Sequence, residues 1–155
     1  MRKYQPALIG GVFIGVLSSL PIVNYLNYCC CLWVVCGGVL VMYLQQQASP
    51  TPVATGDAAI SGLIAGALGA LLFCIVLSVF IQAAAPMILE QVRDQSAQMP
   101  PEALAFVEKL FSSGGLTFFG ATSLIFVPTF AVFAMLGSFL GLAIFRKKTP
   151  PQPQV

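Results

Sequence analysis

The chain has 155 residues, 58% of them hydrophobic and 8% charged, with a net charge of +2 and no histidine. Soluble domains carry about a quarter charged residues, so this composition, with a mean hydropathy of +0.92, speaks against a water-soluble fold. The small positive charge argues against a nucleic-acid partner, and the absence of histidine removes the commonest metal ligand and general base.

Arg2 and Lys3 precede an apolar run, Ala7–Leu20, read as part of a first helix over Ala7–Val23 rather than a cleaved signal peptide, since no small-residue cleavage site follows. Pro21, Asn24 and Asn27 interrupt an apolar region that continues to Leu44. It divides into two stretches of about 17 residues, the lower limit for crossing a bilayer, which puts a second helix over Tyr28–Leu44. Gln45–Asp57, with Pro50 and Pro52, reads as a polar loop.

A third helix over Ala58–Ala85 begins with twenty-five uncharged residues, Ala58–Gln82, enough to span the hydrocarbon layer. Pro86 marks its end or a kink. Met87–Gly115 is polar and holds four of the five acidic residues. Within it Ile88, Leu89 and Val92 suggest a short helix, and Pro101-Glu102 starts another. Leu104, Val107, Leu110 and Phe111 share one face of the latter, the pattern of an interfacial helix. A fourth span covers Leu116–Phe145, with Pro128 near its middle, and Arg146-Lys147-Lys148 stops it. Thr149–Val155 reads as a disordered, proline-rich tail.

The expected architecture is therefore an all-α membrane protein. It has a single domain over residues 1–148, four transmembrane helices in two hairpins, and a short interfacial helix between the third and fourth. Basic residues cluster with the two termini, so the positive-inside rule puts both termini in the cytoplasm and Met87–Gly115 outside.

Small residues recur every four positions at Ala7, Gly11, Gly15 and Ser19, and again at Ala58, Gly62, Gly66 and Ala70. The segments Ala7–Leu20 and Ala58–Leu71 align without gaps, as a duplicated hairpin would. Such faces let membrane helices approach closely. Gly11, Gly15, Gly62 and Gly66, together with Gly137 and Gly141, are the candidate helix-packing residues, directed to one another or to another subunit.

Cys29, Cys30, Cys31 and Cys36 form the candidate thiol site. Neighbouring helical positions point about 100° apart, and no C-x-x-C occurs, so neither a shared metal nor a redox pair is expected. Their plain role is to pack as small apolar residues. No ionisable residue falls inside a span, which argues against ion-coupled transport. Ser78, Thr122, Ser123, Thr129 and Ser138 are polar there, and each can bond its own helix backbone.

The pattern PALIGG…NYCCCLW…TGDAAISGLIAGALGAL resembles small bacterial four-helix membrane proteins known only as domains of unknown function. The resemblance covers the first hairpin and the third helix. It implies a bacterial inner membrane and a four-span domain, and brings no activity, ligand or catalytic residue. The leading expectation is a non-enzymatic membrane protein without cofactor, acting through helix–helix association as an accessory subunit. Its partners would be membrane lipids and other membrane subunits, or itself. The alternative is a small oligomeric pore or transporter for a lipid or small molecule.

Overall fold

The computed structural model describes residues 4–24, 27, 31–94, 100–112 and 115–145. Among these the chain is helical, with no strand: α1 Gln5–Ser19, α2 Pro21–Asn24, α3 Leu32–Ala48, α4 Thr55–Asp94, α5 Pro101–Ser112 and α6 Gly115–Ile144. The terminal basic residues and the tail Thr149–Val155 lie outside the described residues.

Two helix ends follow from prolines one residue further on. A residue before proline is pushed out of the α region. Leu20, before Pro21, is extended (φ −79°, ψ 119°) and ends α1. Ser49, before Pro50, is extended (φ −94°, ψ 131°) and ends α3. The first helical stretch, read over Ala7–Val23, is thus divided into α1 and the single turn α2.

The second helix is shifted four residues from its expected place. It begins after Cys31, whose backbone is left-handed (φ 50°), and takes in Gln45–Ala48, read from sequence as loop. Glutamine is a good helix former, so nothing stops α3 until Pro50. Asn27 organises the turn before it. Its side-chain amide donates to Ser18 Oγ (2.9 Å) and Asn24 Oδ1 (3.2 Å), and its oxygen accepts from the Trp33 backbone N–H (3.2 Å). The Trp33 indole N–H donates to the Val23 carbonyl at 2.9 Å. Asn27→Ala removes three of these bonds, and should lower the stability of the turn by about 1–3 kcal/mol. Thermal unfolding against wild type measures that loss.

Pro86 does not end α4, which runs on to Asp94 and absorbs the short helix expected around Ile88. The proline removes one backbone donor, that to the Gln82 carbonyl, and the residues after it are helix-compatible. α5 starts at Pro101, with Glu102 in its first turn and Lys109 in its last, each at the helix end that favours its charge. Leu104 and Val107 are half-buried, and Phe106 is exposed.

α4 and α6 are each long and apolar enough to cross a membrane. With 15 and 17 residues, α1 and α3 are about 22 and 25 Å long, short of the ~30 Å hydrocarbon layer.

The chain divides into two compact units, Met1–Phe73 with Phe126–Val155, and Cys74–Ile125. In the first unit α1, α3 and parts of α4 and α6 form a closed ring of neighbours: α1 against α3, α3 against α6, α6 against α4, and α4 against α1. Contact order along the helices makes α1 parallel to α4 and α3 parallel to α6, with the other two pairs antiparallel. Ile14, Val34, Val41, Met42, Ala65 and Ala134 are fully buried. Phe73, Phe126 and Phe130 stack edge and face at 5.2–5.9 Å, an arrangement aromatic rings favour. The outside carries large aliphatic residues such as Leu8, Val12, Val16, Ile60 and Leu140.

The second unit comprises the remainder of α4, α5 and the first turns of α6, with Gly115 of α6 beside the Gln82 side chain of α4.

Candidate functional site

All six candidate packing glycines lie where two helices of this chain meet. A methyl group added at Gly11 would meet Leu68 Cβ at 3.0 Å and the Ala65 carbonyl at 3.1 Å, and at Gly15 it would meet Leu72 at 2.6 Å. These two seat α1 on α4, so the two segments of internal similarity lie side by side. Gly62 and Gly66 face α6 instead. A Cβ on Gly62 would stand 2.6 Å from Ser138 Oγ, and one on Gly66 would run into the Phe130 carbonyl and Ala131 Cα. Gly137 and Gly141 close the ring against Val35, Val39 and Met42 of α3. The sequence reading leaves the target of these faces open, as this chain or another subunit. In the structure every one of them is occupied from within.

Four further glycines, not singled out from sequence, belong to the same set: Gly10 and Gly37 between α1 and α3, Gly38 against the Ala134 carbonyl, and Gly69 against Ile14. Gly37-Gly38 and Gly10-Gly11 are adjacent pairs, each serving two interfaces, and that doubling is the signal that could have found three of the four, Gly69 having no glycine beside it.

The described cysteines stand at separate places on α3 and α4. Cys29 and Cys30 lie outside the described residues. Cys31 forms the N-cap of α3, Cys36 is an exposed free thiol on α3, and Cys74 is a buried one on α4. Among the described residues no group of three or more metal-ligating side chains comes together.

The hydroxyls behave in three ways. Thr122 donates to the Phe118 and Phe119 carbonyls (2.9 and 3.1 Å), bonding its own helix as expected, and Ser19 does the same to the Gly15 carbonyl (2.6 Å). Ser138 reaches across to the Gly38 carbonyl of α3 at 3.2 Å. Ser78 and Ser123, by contrast, are buried at Oγ with no partner.

Two other buried polar groups escape the sequence reading. Gln45 and Gln46, near the end of α3, are 7% and 3% exposed, and Gln45 Oε1 and both amide atoms of Gln46 have no partner. An orphaned buried polar atom costs about 1–3 kcal/mol. Gln46→Met keeps the length of the side chain and removes two such atoms, so the midpoint of thermal unfolding should rise; a fall would contradict the assignment of these amides as unpaired.

Ser78 lines an open pocket of about 430 Å³ between α4 and α6 in the second unit, within the ~300–1,000 Å³ range of ligand sites. Ile75, Val79, Leu116 and Phe119 make its apolar walls, and Ser78 and Gln82 supply its polar groups. Ser78 is 8% exposed, whereas Val79 and Leu116 are largely exposed, so the pocket opens sideways between them. Ser78 and Gln82 are one helical turn apart and share a face of α4. The first turn of α6 begins beside Gln82 at Gly115.

Chemically the pocket suits an elongated apolar group carrying an oxygen at one end. It offers one hydroxyl and one amide, and no acid, base or nucleophile of unusual character among its walls. Comparison of the chain with models of known protein families, with curated proteins and with solved structures finds no match.

Proposed function

We propose that this chain is an integral membrane protein of four spans, acting without catalysis as an accessory subunit of a bacterial inner-membrane complex, with both termini cytoplasmic. The observation that carries the reading is the surface of the first unit. Its helices meet through glycines, and serine and glutamine are buried beside an apolar core, yet large aliphatic side chains such as Leu8, Val12, Val16, Ile60 and Leu140 stand exposed. Water would drive those aliphatic side chains inward at about 25 cal/mol per Å², whereas lipid tails leave packing of small residues as the force between helices. Only 39% and 28% of the most apolar windows of α4 and α6 are buried, unlike the core helices of a soluble protein. The short α1 gains length from the α2 turn, and local thinning of the bilayer accommodates the rest.

The small-residue faces close this chain's own bundle, so association with a partner would use the aliphatic exterior. Purification in mild detergent from native membranes, followed by native mass spectrometry, tests the role. A stoichiometric second protein supports it, and a chain that is always alone contradicts it. A second reading, an oligomeric carrier or pore for a lipid or small molecule, is favoured by the pocket of the second unit. A lone homo-oligomer would select it.

A further inference from the structure

We infer that the pocket between α4 and α6 of the second unit holds one acyl chain of a membrane glycerolipid, with the ester carbonyl accepting a hydrogen bond from the Ser78 hydroxyl or the Gln82 amide. The inference rests on the membrane reading above and adds a ligand class and a site to it.

Three observations converge. The first is the orphaned hydroxyl. Ser78 Oγ is buried in the wall of the pocket with no partner in the chain, although a helical serine ordinarily bonds the carbonyl four residues back. Ser19 does so in α1. A hydroxyl left unbonded beside an open pocket is a donor waiting for an acceptor from outside the chain.

The second is depth. Ser78 lies twenty residues beyond Ala58, where the uncharged run begins. At 1.5 Å per residue this is about 30 Å, the thickness of the hydrocarbon layer. Ser78 and Gln82 therefore stand at the far edge of that layer, the level at which lipid esters meet water. The apolar walls Ile75 and Phe119 belong to the tail side of the pocket, since Ile75 is the lining residue of α4 nearest the bilayer centre.

The third is the polarity of the rim. Pro86 has no N–H to give the Gln82 carbonyl, and the Gln82 side-chain amide lies at that same end of the pocket, beside Gly115. Donors and an acceptor thus gather at one end of an otherwise apolar slot. An amphipathic chain fits this gradient, and a wholly apolar molecule would leave Ser78 unbonded.

The test uses the full chain in nanodiscs of phosphatidylethanolamine and phosphatidylglycerol, doped with a phosphatidylcholine carrying a diazirine on its acyl chain close to the ester. After irradiation and peptic digestion, adducts are mapped by mass spectrometry. Labelling should concentrate on Ile75–Gln82 and Gly115–Phe119, above that on Leu20 and Ile22, exposed residues at and just past the far end of the first apolar run and thus also near the ester level. Val79→Trp, which fills the pocket, should abolish the enrichment. Ser78→Ala should lower it and Ser78→Thr should retain it, a pair that stays informative if the tryptophan variant does not fold.

Uniform labelling of all exposed apolar residues would overturn the proposal. So would enrichment unaffected by both Val79→Trp and Ser78→Ala, labelling by a diazirine fatty acid but not by the phospholipid, or cross-linking of these residues to a second copy of the chain. The membrane reading fails separately, if the chain never enters nanodiscs and stays folded in buffer. A chain that inserts and labels uniformly loses only the acyl-chain site.

Discussion

Gly66→Leu should cost the first unit at least about 3 kcal/mol, the upper part of the range for overpacked cores, and leave little folded protein. The added side chain would meet the Phe130 carbonyl and the Ala131 Cα of α6. These are backbone atoms, which no change of rotamer moves aside. Relief requires α4 and α6 to separate, and that opens the Phe73–Phe126–Phe130 cluster immediately beside Gly66. A domain holds only about 5–15 kcal/mol in all, so one such substitution takes a large share.

Gly120→Ala is the matched control. Gly120 lies inside α6, and an added methyl meets nothing within 4 Å. Its replacement should gain up to about 1 kcal/mol from helix propensity alone. Unfolding in mixed micelles, followed by circular dichroism, measures both. Equal and small effects of the two substitutions would mean that α4 and α6 do not meet at Gly66.

Val12→Lys addresses the other side of the helices. Val12 is in the middle of α1 and 58% exposed, so it makes little packing contribution to lose. If the outside of the bundle faces lipid, a lysine at the centre of a span costs about 2.5–3.5 kcal/mol, and membrane-inserted yield falls accordingly. Facing water, the same change would stay within about 0.5 kcal/mol. The two environments therefore differ by several kilocalories at one exposed position. Quantifying full-length protein in the membrane fraction for Val12→Lys, Val12→Leu and wild type reads that difference directly.

The helical character of the chain is plain from its long apolar runs, and the local rules that set several helix ends are equally visible. Pro101 starts α5 where proline at the first helical position is favoured, and Pro21 and Pro50 stop the helices before them through the residue that precedes each. Pro86 carries the same residue type and the opposite outcome, because a single missing bond can be borne inside a 40-residue helix. Sequence cannot weigh that bond against the rest of α4.

Polar residues misled in a similar way. Gln45 and Gln46 have the composition of a loop, yet both are helical and buried. The four-residue spacing of Gly62 and Gly66 identifies a face that a second helix can approach. It does not say which helix comes, and the answer, α6 for these two but α4 for Gly11 and Gly15, depends on the closed ring. Ser78 has the same appearance in sequence as Ser19 or Thr122. Its missing partner is a property of the pocket, where α4 and α6 leave space, and no local pattern records it.

A glycine-packed bundle whose outside is covered by exposed leucine, isoleucine and valine is the core of this account, and alkaline carbonate extraction of native membranes tests it most directly. The chain should remain in the sedimented bilayer and be released only by detergent. Recovery of folded chain in the carbonate supernatant, or in buffer without detergent, would contradict the account.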